Sequence, residues 1–394
     1  MWTRPVADSV EATPAVDRDG NVYCVGGSYV YSFGKHGAPR WTNPIGRLTG
    51  EFNSPALSHD QKVLYGGGSN FVYAIDATTG KTIWKKGGFP RGFHSVPAVS
   101  RDGSRLYFGL GAERDEGDSF YSINTDDGSV MWEYVMEHPA RGFRGYLGGA
   151  IVDADNTIFI ASQHGWLISL TDQGNSYTEN WAYDAGAEMR MPPSLDKDDF
   201  LYVGTSDAGG KIHKVNSQDG KPAKGKWPVR TTSDEVFANL AIAEDGTVYV
   251  NSEDARLWAF RPDGGVKWNN LKFESWGSDP LIRSDGRIIF GAEIRNAARL
   301  VCVQDQGDKA VIEWQSEPFA KSLHLNETNV TLSPTGTFYI SSGQPGFNLG
   351  KTVELFAIQG NGLGLSTKAQ WPKFMGNTQN NGSLAPDHGK EPTK

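Results

Sequence analysis

Four side chains scattered along the chain have types that together suit acid–base chemistry on a negatively charged ligand. His94 offers a base whose ordinary pKa lies near neutrality. Tyr146 can protonate a leaving oxygen, and Arg144 and Arg190 can neutralise a carboxylate as charge develops beside it. The reaction such a set fits is β-elimination on a uronate-containing glycan. Arg91, Arg141, His164, Trp276 and Glu327 are the accompanying ligand-binding candidates. An arginine fork matches planar carboxylate or sulfate, and Phe93, Tyr146 and Trp276 offer faces for sugar rings. The plainer reading is that these are solvated loop residues, some paired with Glu51, Glu188 or Glu327.

Other chemistries leave less trace. The two cysteines, Cys24 in VYCVGG and Cys302 in RLVCVQD, sit inside apolar strand patterns and read as buried small hydrophobes. Neither H-x-x-x-H spacing, nor a G-x-S-x-G elbow, nor a phosphate-cradling G-x-x-x-x-G-K-[ST] is present. The acidic loop Glu113–Asp118 carries oxygen ligands suited to calcium; otherwise no cofactor or metal is expected. Asp17-x-Asp19 and Asp153-x-Asp155 imitate calcium-loop spacing, but turn chemistry accounts for them. A net charge of −8 argues against nucleic acid as the partner. No apolar run reaches the roughly 20 residues of a spanning helix, so no membrane span is expected. The chain as given shows no charged-then-apolar leader at MWTRPV.

The elements that position these residues follow from a repeat. Tryptophans recur at 2, 41, 84, 132, 181, 227, 268, 314 and 371, at intervals between 39 and 57. Turn pairs recur at Asp19-Gly20, Asp60-Gln61, Asp102-Gly103, Asp155-Asn156, Asp198-Asp199, Asp245-Gly246, Asp285-Gly286 and Thr335-Gly336, spaced by 40 to 53. Each repeat reads as four short antiparallel strands; the second runs NSPALS, KVLYGGG, FVYAID and, after a TTG turn, KTIWKK. One such sheet cannot cover both its faces, but copies stacked around an axis can. The expectation is an all-β, eight-bladed propeller; seven blades would require one turn pair to belong to a decoration. MWTRPV at the start matches RWTNPI at Arg40–Ile45, an outermost strand, so the N-terminus is expected to complete the last blade. Residues 1–371 form the propeller on this reading and 372–394 a polar tail, fraying from Gly382.

FVYAIDATTGKTIWK, SFYSINTDDGSVMWE and RLWAFRPDGGVKW resemble the pyrroloquinoline-quinone (PQQ) repeat, Y-A-x-D-x-x-T-G-x-x-x-W, and AQWPKFMGNTQNNG resembles a segment common at the ends of such propellers. The resemblance spans nearly the whole chain and implies that the repeat tryptophans dock between blades. Quinoprotein alcohol dehydrogenases of this kind carry an adjacent Cys-Cys pair, a calcium site and a catalytic Asp; this chain has no Cys-Cys pair. Scaffold lipoproteins of the outer-membrane protein assembly machinery and some polysaccharide lyases share the architecture. The family's habits imply periplasmic or secreted placement.

With the repeats aligned, the loops leading into the innermost strands and those joining second to third strands open on one face. His94, Tyr146 and Arg190 occupy the same position before the innermost strand of blades three, four and five, with Arg91, Arg141 and Arg144 beside them. His164 opens the third strand of blade four on the same face. The expected function is therefore a non-redox binding propeller, a monomer, that takes an anionic saccharide or protein segment at this mouth. A polysaccharide lyase is the alternative, and a PQQ-dependent dehydrogenase the next.

Overall fold

The computed structural model describes residues 1–6, 12–46, 54–90, 92–93, 95–112, 119–139, 145–206, 210–231, 235–236, 239–274, 277–320, 329–341 and 353–383. The described residues form eight antiparallel sheets and contain no helix. In blade two the strand order is Ala56–Leu57, Val63–Gly67, Phe71–Asp76 and Thr82–Gly87, from the axis outward. Seven other sheets repeat this plan, which makes an eight-bladed β-propeller. Trp2–Val6 pairs with Val353–Gln359, Trp2 opposite Ala357, so the N-terminal strand completes blade eight as its repeat match predicts.

The innermost strands are short and small: Ala15–Val16, Ala56–Leu57, Ala98–Val99 and Ala241–Ile242 all begin with alanine, buried where the blades crowd together. The turn that follows each of them explains the second periodic marker. The second residue of every turn pair has positive φ, from 60° at Asp199 to 83° at Gly20 and Gly336. Gly, Asn and Asp tolerate that conformation best, and only Gln61 departs from those types.

The tryptophan period marks the junctions between blades. At six junctions an indole at the outermost strand reaches the turn after the third strand of the next blade. Trp41 Nε1 donates to the Ala77 carbonyl at 3.0 Å, Trp84 to Thr125 at 2.8 Å, and Trp181 to Ser217 at 3.0 Å. Trp2, Trp132 and Trp227 do the same toward Lys35, the Asp172 carboxylate and Pro262. At four of these junctions the glycine of the turn lies against the ring: a β-carbon on Gly37, Gly80, Gly128 or Gly220 would come within 2.5 to 2.7 Å of Trp2, Trp41, Trp84 or Trp181.

Trp371 departs from the series. It is buried against the innermost strand of blade six, bridged to Ile242, and belongs to no outermost strand. It opens a segment that walks around the inside of the ring. The carbonyls of Trp371, Pro372, Thr378, Gln379, Asn381 and Gly382 accept the N–H groups of Ile242, Ile282, Val16, Leu57, Val99 and Val152 in turn. Residues 372–383 are thus bonded into the ring, and Gly382, expected to fray, is held in place. The expected boundary at 371 separates no loose tail from this part of the chain. Residues 384–394 lie outside the described residues.

Candidate functional site

Innermost strands run from the loop face of the ring toward the tight turns, and the bonds to Val16, Leu57 and Val99 lie at their turn ends. The tail therefore closes the axis on the turn face. Above it an arc of polar side chains, Thr13, Ser54, Asn239, Asp279 and Asn329, lies two residues before the innermost strands of blades one, two, six, seven and eight. The Thr13 N–H donates to Ser54 Oγ, the Asn239 N–H to Asp279 Oδ1, and the Asp279 N–H to Asn329 Oδ1. Into this arc the tail inserts Lys373, 1% exposed, whose Nζ donates to the carbonyls of Phe374 and Asn377 and to Asn380 Oδ1. Asn380 in turn donates to the Thr13 carbonyl. Burial lowers the Lys373 ammonium to about 7 and pushes the Asp279 carboxyl up to about 7; each charge partly offsets the other's loss of water.

Of the sequence-predicted site, the structure describes part. His94, Arg91, Arg141, Arg144, Trp276 and Glu327 lie outside the described residues, as does the acidic loop 113–118. Tyr146 is described in its backbone: it lies in Gly145–Val152, paired with Gly111. Arg190 and His164 flank one junction. The Ser162 carbonyl accepts the Met189 N–H at 3.3 Å, and the His164 N–H donates to Ser162 Oγ at 3.0 Å. His164 is 7% exposed, and the Arg190 Nε donates to Glu188 Oε1 at 2.9 Å, the pairing that the plainer reading anticipates.

The rim above blades three and four is built up in a way that the repeat does not predict. The innermost strand of blade four has 8 residues where those of the other blades have 2, and its first two pair with Gly111–Ala112 of blade three. An aromatic pair joins the end of blade three's outermost strand to the start of blade four's third strand. The Trp166 and His138 rings stack at 4.6 Å and 27°, with Trp166 Nε1 donating to the Pro139 carbonyl and His138 bonded to Glu179. Trp166 escaped the sequence reading because it falls out of register with the tryptophan period, and that displacement was the available signal.

Neither cysteine is placed to make the adjacent pair that the dehydrogenases carry. Cys24 and Cys302 lie in the second strand of blade one and the third strand of blade seven, and burial pushes each thiol up to about 12. The Asp17 and Asp153 carboxylates close their own turns, each Oδ1 accepting two backbone N–H groups. Among the described residues no group of three or more His, Cys, Asp or Glu is placed to hold a metal, and no helix is long and apolar enough to cross a membrane.

Known proteins share this architecture. The family described as outer membrane protein assembly factor BamB matches residues 1–226. The crystal structure of BamB from Moraxella catarrhalis superposes with a TM-score of 0.67 at 16% identity, covering 91% of this chain and 99% of that one. The Dos1 propeller superposes with a TM-score of 0.66 at 10% identity, covering 92% and 96%. Protein Rv3035 of Mycobacterium tuberculosis is 29% identical over 150 residues, 34% of this chain and 35% of its own length. The chain thus spans about a third of that curated relative.

Proposed function

This chain belongs to the family of the outer membrane protein assembly factor BamB, and from that premise we propose that it is a non-redox binding propeller. Its loop face, over blades three to five, takes an extended protein segment or saccharide that carries negative charge, and the family's description as an assembly factor favours protein. The observation that carries this reading is the elaborated rim of blades three and four, where Gly111–Ala112 is added to the long strand Gly145–Val152. A rigid scaffold commonly holds its recognition surface on such loops. Because the tail fills the turn side of the axis, a ligand reaches the channel from the loop face alone. Trp166 supplies an aromatic face and Arg190 a guanidinium at that rim. A protein of this kind works outside the cytoplasm in partnership with another chain.

The test is titration calorimetry with acidic peptides and acidic polysaccharides against the whole chain. Arg190→Ala should weaken binding by about 1.5–3 kcal/mol, the scale of a charged hydrogen bond. Its folding should change by no more than about 0.5 kcal/mol. Unsaturated-uronate absorbance appearing during incubation with a polysaccharide would make the chain a lyase instead. Equal binding by wild type and the Arg190→Ala and Trp166→Ala variants would place the site elsewhere.

A further inference from the structure

The ring contains one junction where the repeated docking of tryptophan on a neighbouring turn is missing. At six junctions the outermost-strand indole donates to a group in the turn after the next blade's third strand. At the junction of blades six and seven, Trp268, 3% exposed, lies at Asp305, the last residue of the next blade's third strand, and helps hold that carboxylate below its ordinary range. Between blades seven and eight Trp314 Nε1 has no partner among the described residues, and the indole borders a cavity of about 590 Å³.

The cause is the way the ring closes. In blade two the third strand is followed by the turn Asp76–Lys81 and then by its own outermost strand. Blade eight takes its outermost strand from the N-terminus, so after Gln359 no turn is needed to reach one. The chain instead crosses beneath blade seven toward the axis. The Ser284 N–H donates to the Gly364 carbonyl, Leu365 bridges Arg283, and the Ser366 N–H donates to the Ile282 carbonyl. The place where a turn would cover Trp314 is left open.

What remains is a cavity with apolar walls and specific donors. Trp314, Phe338 and Ile358 supply the walls, with the first two rings 6.3 Å apart. Arg283 lines the same space with a side chain only 4% exposed. Its Nε and Nη2 are spent on Asp285 at 2.8 and 2.6 Å, and its Nη1 has no partner among the described residues. The volume lies in the range of ordinary ligand pockets. Two unspent donors, the indole N–H and one guanidinium nitrogen, therefore belong to side chains that line a space with apolar sides.

The geometry points to a docking site for a partner protein between blades seven and eight, filled by a tight, glycine-bearing turn of that partner. The fold itself supplies the template. Against Trp41 the occupant is a turn that brings the Ala77 carbonyl to the indole N–H and places Gly80, at φ of +74°, flat beneath the ring. A partner's turn of the same shape would give Trp314 the missing carbonyl and Arg283 a second acceptor. A side chain at the glycine position would strike the indole, which gives the site its selectivity. This site is separate from the loop-face site and does not depend on it.

The probe is a cyclised peptide of the chain's own turn, Asp76–Thr82, added to the full-length protein labelled with nitrogen-15 at its tryptophan indoles. Trp314→Phe identifies the Trp314 signal. In the free protein its indole N–H should exchange with water faster than those of Trp41, Trp84 and Trp181. Peptide should shift that signal and slow its exchange, leaving the other three unmoved. The same peptide with Gly80→Ala should leave it where it was, and Asn361→Trp in the protein, which fills the cavity from its rim, should abolish the shift. An indole at Trp314 already as protected as the others would overturn the proposal. So would a signal unmoved by peptide at millimolar concentration, or one moved equally by the alanine peptide.

Discussion

Gly80 and Gly174 both close turns after third strands, at φ of +74° and +88°, yet their surroundings differ. A β-carbon at 174 meets nothing within 4 Å, whereas at 80 it falls 2.5 Å from the Trp41 ring. Gly174→Ala should therefore cost only the left-handed backbone, about 1 kcal/mol. Gly80→Ala should add the displacement of Trp41, for a total of roughly 2–4 kcal/mol. Denaturant midpoints measure both, and equal losses would mean that the indole does not rest on Gly80. A second residue-scale expectation concerns Asp279 and Lys373. The Asp279 carboxyl is raised to about 7 from an ordinary 3.8, so between those values the folded chain holds a proton that the unfolded chain has lost. Stability from this group is full at low pH and falls as pH rises toward 7. Lys373, lowered from 10.5 to about 7, acts oppositely: the unfolded chain holds the extra proton, so stability recovers as pH rises from 7 toward 10.5. Asp279→Asn should remove the acidic limb, visible as a wild-type-minus-variant difference in unfolding free energy that declines between about pH 4 and 7. Asn239 Oδ1, buried without a partner, is there to rotate toward the new amide.

At the scale of the strand and the turn, what the sequence discloses is what is local. The Asp-Gly pairs and the outermost-strand tryptophans each recur within one blade, and both mark real features: a positive-φ turn and a blade junction. The closure strand is distant in sequence but legible, because WTRPV and WTNPI are copies of one element. Deleting Met1–Val6 should leave the Val353–Gln359 strand as an open edge and destabilise the whole ring, which a single cooperative transition at lower denaturant would register. A separate early transition confined to blade eight would show instead that the ring tolerates opening. The added strand Gly111–Ala112 was not legible, since YLGG and LGA carry no apolar alternation to announce pairing. Of the predicted site, the loop register put His164 and Arg190 on one face, and in the structure the Ser162 carbonyl and hydroxyl accept the N–H groups of Met189 and His164. The hold of Glu188 on the Arg190 guanidinium is the pairing that the plainer reading of these loops offered.

Across the whole molecule the least legible feature is the one on which the axis depends. Asn380 meets Thr13 across 367 positions, and nothing in a polar stretch such as GNTQNNGS signals burial. Asn380 and Asn381 are buried because each bonds the ring rather than water: Asn380 reaches the Thr13 and Pro55 carbonyls, and Asn381 the Leu57 carbonyl. Six innermost strands each give one N–H to this segment, so the tail ties together blades that otherwise contact only their neighbours. Truncation after Gln370 would leave those six donors exposed and remove Trp371, Phe374 and Met375, all 3% exposed or less, from the inside of the ring. At about 1 kcal/mol per net hydrogen bond and 1.5–3 kcal/mol per buried apolar side chain, the loss is on the order of 10 kcal/mol, comparable to the whole stability of an ordinary domain. The truncated chain should therefore fail to fold alone and should regain a cooperative transition when a peptide of residues 371–383 is supplied. Asn380→Ala offers a milder probe, with a loss of about 1–3 kcal/mol from the carbonyls of Thr13 and Pro55 and the Lys373 ammonium it leaves short of a partner. If the truncated chain keeps its wild-type denaturation midpoint, the tail is an occupant of the channel and not a part of the ring's structure. Ligands would then reach the axis from both faces.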